Sequence, residues 1–155
     1  MEKLLGVAPN LLLNALLALE LGLHVYGEVY NWKSFYSSAY VVVLGVALLA
    51  AGAVVHMMCH KSHSHAHKKA DEIESIITSG AFSKIRHPMY LSIMMIVWGI
   101  YIAWNFIVIL PLPILITILL YVLAKREERY LLEHLGGEYK RYMASVHWMF
   151  IPGVI

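Results

Sequence analysis

Charge is scarce in this chain: Asp, Glu, Lys and Arg make up only 14% of its 155 residues, against 60% hydrophobic residues. A soluble domain of that length cannot bury so much apolar surface, so a bilayer must cover part of it. Cysteine is nearly missing. With Cys59 alone, an intrachain disulfide and a four-cysteine metal site are both excluded. No Gly-x-Gly-x-x-Gly run occurs, and the chain is too short and too apolar for a soluble Rossmann domain. No Ala-x-Ala cleavage pattern follows the first apolar run, which is longer than a signal-peptide core and reads as a membrane span. A formal charge of +2, without a basic face, gives no reason to expect a nucleic-acid partner.

What the chain does have is long apolar runs. Crossing about 30 Å of hydrocarbon at about 1.5 Å per residue takes roughly 20 residues. Four segments approach that length: Leu5 to Tyr26, Ser37 to Met58, Pro88 to Trp104 and Phe106 to Ala124. The expected fold is a single all-α polytopic transmembrane bundle. Residues 1–59 hold the first two spans, 60–87 a connector, 88–126 a helical hairpin and 127–155 a C-terminal segment. The last two spans meet so abruptly at Trp104 and Asn105 that they should run antiparallel. Pro111 and Pro113 fall inside the fourth and should bend it. Small residues in the second span (Gly45, Ala47, Ala50, Ala51, Gly52, Ala53) allow close helix approach.

Ten of the twelve lysines and arginines lie in the connector or after the fourth span, from Lys125 onward, and four spans put both stretches on one side. The positive-inside rule makes that side cytosolic, with both termini there. Within the connector, Ala70 to Thr78 reads as a short amphipathic surface helix. Beyond Leu135, Gly136 and Gly137 should interrupt the helix before it resumes through Ser145. Trp148, Phe150 and Ile151 would then dip back to the interface.

Reactive side chains are densest at Arg86-His87-Pro88-Met89-Tyr90, where the connector enters the third span. Pro88 suits the first helical turn, so His87 sits near the N-cap with Arg86 just outside, at the positive end of a helix dipole. That makes a ready anion site. Glu127 and Glu128 lie at the matching end of the other hairpin arm. Glu128 shares a stripe with Leu131, Leu132 and Leu135 and should face the pocket, whereas Glu127 points about 100° away. Arg86 could equally anchor to lipid phosphates, and the two glutamates could be solvated partners of Lys125, Arg126 and Arg129.

Together with Gly80-Ala81-Phe82, Leu135-Gly136-Gly137-Glu138-Tyr139, Tyr142 and Pro152, these residues resemble the C-terminal signature of the isoprenylcysteine carboxyl methyltransferase family and its relatives, the phospholipid N-methyltransferases. The resemblance runs from Thr78 to Pro152. It implies an integral, multi-pass membrane enzyme that binds S-adenosylmethionine on the cytosolic side and takes a prenylated, isoprenoid or other membrane-lipid acceptor from the bilayer. By position, Gly80, Phe82, His87, Tyr90, Glu127 and Glu128 would hold the cofactor. Arg86 would orient the acceptor, making Arg86 and Glu128 the catalytic candidates. Ser92 stands where the family usually has glycine, and Leu135 where it usually has an aromatic residue.

Methyl transfer from a sulfonium is an in-line displacement, in which positioning alone contributes up to roughly 7–11 kcal/mol. A carboxylate acceptor is already ionised and needs no base. An amine must first lose a proton, to His87 or Glu128. A guanidinium beside the acceptor favours the carboxylate. A rival from another class is metal handling by the run Cys59 to His67, through His60, His63, His65 and His67, although no carboxylate precedes it to close a site, and no metal is assigned. Glu20 and His24, four apart in the first span, are intramembrane ionisable residues that could line a substrate entrance, pair with each other or bond a neighbouring helix.

Overall fold

The computed structural model describes residues 2–35, 38–62, 76 and 78–154. Among these the structure is helical and contains no strand: α1 (Glu2–Val29), α2 (Ala39–Ser62), α3 (Pro88–Trp104), α4 (Pro111–Leu135) and α5 (Gly137–Ser145), with 3-10 turns at Gly80–Ser83 and Ile107–Ile109. Three helical stretches are long and apolar enough to cross a membrane: Leu11–Val29, Ala39–Cys59 and Ile107–Leu135. The remaining expected span is the apolar but shorter Pro88–Trp104. Most of the expected surface helix and His60, His63, His65 and His67 lie outside the residues or side chains described.

The chain forms two compact units, Met1–Ala51 with Met94–Leu123, and Gly52–Ile93 with Ala124–Ile155. In the first unit, Leu11, Val43 and Ile118 are exposed, as lipid-facing side chains would be. The inner side of α1 is polar where lipid-facing sides are apolar. Glu20 and His24 are fully buried, and His24 Nδ1 lies 2.8 Å from the Glu20 carbonyl oxygen. The two side chains do not pair: neither Glu20 oxygen nor His24 Nε2 has a hydrogen-bond partner among the described residues. Rings of Tyr101, Trp104 and Phe106 surround His24 at centroid separations of 6.4, 5.8 and 6.0 Å.

Small residues set the spacing of α2 and α3. A methyl group added at Gly45 would lie 2.5 Å from the Ala103 nitrogen, and one at Gly99 2.6 Å from the Leu49 nitrogen, so backbones touch there. Trp98 Nε1 donates to Thr117 Oγ1 at 2.9 Å, tying α3 to α4. The connection between them is longer than the sequence suggests. Asn105, at φ 41°, and Phe106 lead into the Ile107–Ile109 turn before α4 begins at Pro111. Pro111 and Pro113 therefore start α4 instead of bending it. In a first turn neither proline removes a hydrogen bond the helix would have made.

In the second unit, the two glycines after α4 do interrupt the helix. Gly136 adopts φ 51°, a left-handed conformation that suits glycine, and α5 follows at once. The α5 residues Tyr139 and Tyr142 and the following Val146 form a buried cluster with Ile76, Leu131, Leu135 and Met143. The chain after α5 folds back onto the start of α3. Arg86 N donates to Trp148 O at 2.9 Å and His87 N to Met149 O at 3.0 Å. Phe150 is buried against the His87 ring, while Trp148 and Ile151 stay largely exposed.

Candidate active site

Pro88 opens α3, leaving His87 at the helix mouth and Arg86 one residue outside. Both side chains meet the far end of α4. Arg86 Nε donates to Glu128 Oε1 at 2.7 Å, with both side chains more than nine-tenths buried. His87 lies between the acidic neighbours, Nδ1 at 3.8 Å from Glu127 Oε2 and Nε2 at 3.4 Å from Glu128 Oε1. The latter contact is longer than an ordinary hydrogen bond, and among the described residues the buried His87 Nε2 has no hydrogen-bond partner. The His87 ring stacks on Tyr90 at 5.5 Å, and the Tyr90 hydroxyl interacts with Glu127. Lys125 Nζ adds a contact of 3.3 Å to Glu128 Oε2.

Five sequence-selected residues, Arg86, His87, Tyr90, Glu127 and Glu128, are thus brought together, and the two glutamates are placed differently. Glu128 is inside, whereas the Glu127 side chain is 45% exposed and turned to the opening. The charged run Lys125 to Arg129 cannot lie in hydrocarbon, so Glu128 stands beyond the apolar part of α4. Burial by itself would raise its pKa. The contacts from His87 and Arg86 outweigh burial and hold the carboxyl well down, at about 2.

Gly80 and Phe82 sit in the 3-10 turn beside this cluster. Gly80 takes φ 64°, and the Tyr142 hydroxyl donates to the Phe82 carbonyl oxygen at 2.7 Å, which holds the turn against α5. Burial pushes the Tyr142 hydroxyl up to about 12, against a smaller opposing pull from Arg86. Burial, then the nearby carboxylates of Glu128 and Glu127, raise Tyr139 as well.

Two features here have no counterpart in the sequence reading. Arg86 Nη1 donates to the carbonyl oxygens of Val146 and His147, at 3.0 and 2.5 Å. Backbone acceptors carry no side-chain signature, so no motif announces them. The second is a contact between His56 of α2 and Ser92 of α3, with Nδ1 and Oγ 2.9 Å apart. Its signal in the sequence is a histidine within an apolar run, four residues after Gly52 and three before Cys59. Among the described residues no group of three or more His, Cys, Asp or Glu side chains is placed to hold a metal ion.

The cluster keeps hydrogen-bonding capacity to spare. Glu127 offers an accessible carboxylate, and His87 Nε2 is a buried ring nitrogen with unused hydrogen-bonding capacity.

A family model described as phospholipid methyltransferase matches residues 40–138, nearly two thirds of the chain, from the start of α2 into α5. The match includes Arg86, His87, Tyr90, Glu127 and Glu128. Comparison with the curated proteins and with the solved structures yields no match. The chain belongs to the phospholipid methyltransferase family, and is a membrane methyltransferase by that membership and by its apolar helices.

Proposed function

We propose that this member of the phospholipid methyltransferase family transfers the methyl group of S-adenosylmethionine to the amine of a phospholipid headgroup, at the mouth of α3. The carrying observation is the convergence of Arg86 Nε and both His87 ring nitrogens on Glu127 and Glu128, all within 4 Å. In this reading Glu127, His87 and Tyr90 hold the aminoacyl nucleoside, with Gly80 and Phe82 beside it. Glu128 keeps His87 and Arg86 in place. S-adenosylmethionine supplies an electrophilic methyl on a positive sulfur, which the ionised glutamates favour electrostatically. The chain's own part is to align the partners and exclude water. The site lies on the cytosolic side in this proposal, because the cationic connector and C-terminal segment flank it.

A carboxylate acceptor would require Arg86 to face it. Arg86 Nε and Nη1 are instead committed to Glu128, Val146 and His147. That commitment, with the family's description, supports an amine in place of the carboxylate that the sequence alone favoured. The deciding experiment supplies the purified full chain, reconstituted in vesicles, with methyl-labelled S-adenosylmethionine and either phosphatidylethanolamine or a farnesylcysteine. Label in the phospholipid, lost in Glu127→Ala and His87→Ala, is the expected result. Label in the farnesylcysteine alone would replace the amine reading with carboxyl methylation.

A further inference from the structure

Two loops meet beyond the C-terminal end of α3: the turn that follows α1 and the connection that leads into α4. The first carries Trp32 and Lys33, and Phe35 N donates to the Asn105 carbonyl oxygen at 3.0 Å, which ties it to the second. Behind them Gly27 leaves room for two rings, since a methyl group there would lie 2.7 Å from Phe106 and 2.9 Å from Trp32. The Trp32 and Phe106 rings meet edge to face at 5.9 Å, and Phe106 is buried. These contacts frame a cavity of about 310 Å³, lined by Trp32, Lys33, Phe106, Ile107 and Val108.

The lining carries one charge, and it is positive. Lys33 is the sole lysine or arginine between Lys3 and Lys61, its side chain is exposed, and among the described residues no ion pair engages it. Every other lining residue is apolar or aromatic, and Ile107 and Val108 are exposed. A cation without an acidic partner, at the rim of an apolar slot, is the complement of an amphiphile with an anionic head. Depth in the bilayer points to the same class. The cavity lies where the apolar stretch Leu11–Val29 has just ended and Ile107–Leu135 begins. Tyr26 packs on Tyr30 at 4.3 Å and on Trp32 at 5.6 Å, an aromatic cluster of the kind found at the membrane–water boundary, where lipid headgroups lie. A volume at the lower end of small-ligand sites admits a headgroup and the first part of an acyl chain.

We propose that this cavity docks one anionic phospholipid of the surrounding leaflet, its phosphate held by the Lys33 ammonium and its upper acyl chain laid against Phe106, Ile107 and Val108. The lipid bridges the two loops and adds a second tie to the one that Phe35 and Asn105 make. The site is separate from the methyl-transfer reading and stands whichever acceptor that reaction uses.

The test titrates the purified full chain in detergent with phosphatidylglycerol, phosphatidylcholine or inorganic phosphate, followed by native mass spectrometry and thermal unfolding. The expected result is one phosphatidylglycerol retained per chain with a raised Tm, weaker retention of phosphatidylcholine, and no competition from inorganic phosphate. Lys33→Gln should weaken phosphatidylglycerol binding about five-fold, the effect of one cation facing an anionic lipid, with Lys33→Arg restoring it. The lipid-free Tm of Lys33→Gln should match the parent, because the side chain is exposed. Val108→Asp, which makes the apolar wall acidic, should also lose the lipid, and Lys140→Gln, which removes a cation of α5, should bind as the parent does. Equal retention by parent and Lys33→Gln, or equal weakening in Lys33→Gln and Lys140→Gln, would overturn the proposal. Competition by inorganic phosphate would reduce the site to a bare anion site and overturn the lipid assignment. A lipid-free dimer that Val108→Asp splits would give the face to a second copy of the chain, with the same consequence.

Discussion

Removing the Glu128 carboxylate tests whether its pairing with Arg86 fastens the C-terminal segment, apart from the role the proposed function gives it beside the cofactor. Glu128 and Arg86 are both buried and meet at 2.7 Å. Glu128→Ala leaves a guanidinium buried without its counter-ion, which typically costs about 3–5 kcal/mol. Glu128→Gln keeps an acceptor of the same shape and loses only the charge, so its cost should be nearer the 1.5–3 kcal/mol of a charged hydrogen bond. At about 2–4 °C per kcal/mol for a chain of this size, the alanine variant should melt on the order of 10 °C lower in detergent. Arg86→Met should match or exceed that loss, because Arg86 also holds the Val146 and His147 carbonyls. The double variant Arg86→Met, Glu128→Leu removes both charges and should be markedly more stable than the sum of the single losses implies. Thermal unfolding of the parent, Arg86→Met, Glu128→Leu and the double variant closes the cycle. Additive losses, or an alanine variant as stable as the parent, would refute the view that this pair fastens the segment.

Acidification tests the same carboxylate. Its folded-state pKa, about 2, lies below the ordinary 4.5, so the unfolded chain takes up the proton first as pH falls. The pair's contribution, on the order of 3 kcal/mol, is complete above about 4.5 and is lost as pH falls toward 2. Thermal scans should show that loss shrinking in Glu128→Gln. Tyr142→Phe deletes the bond to the Phe82 carbonyl and should cost about 0.5–1.5 kcal/mol by thermal unfolding, with weaker S-adenosylhomocysteine binding by calorimetry. Gly99→Leu pushes a side chain into the α2 backbone at Leu49, and overpacking of that kind costs about 1–3 kcal/mol or more, visible as a lower Tm.

The pairing of the α3 mouth with the α4 end could be read from sequence because both ends carry charge beside apolar runs of fixed length. A hairpin must bring such ends together. Glu128 in place of Glu127 as the inner carboxylate followed from helical periodicity against Leu131, Leu132 and Leu135, and burial agrees. What could not be read was set by partners without signature. Arg86 was expected to face an acceptor, yet much of its guanidinium is taken up by backbone carbonyls some 60 residues away in sequence. Pro111 and Pro113 read as lying inside the fourth span because hydropathy continues through Ile107 to Leu110, and nothing in composition separates a 3-10 turn from a helix there. Glu20 and His24 were recognised as unusual, but side-chain pairing four residues apart depends on rotamers. His24 bonds the Glu20 backbone instead.

Helix lengths explain why charged chemistry can sit at the edge of an apolar bundle. At about 1.5 Å per residue, the 17 residues of α3 reach roughly 25 Å, short of a typical hydrocarbon thickness of about 30 Å. In the four-span arrangement expected from the sequence, a span that short would draw the adjoining polar residues toward the hydrocarbon boundary or thin the bilayer around them. Arg86 and His87, immediately outside α3, would therefore lie below the level at which a full-length span would end, next to lipid headgroups. The 25 residues of α4 do the opposite. They run past the hydrocarbon and carry Glu127 and Glu128 on a continuous helix, so the carboxylates that meet Arg86 and His87 are held by a rigid extension and not by a loop. The mismatch of one short and one long arm places ionised groups where dielectric is low enough to strengthen their fields.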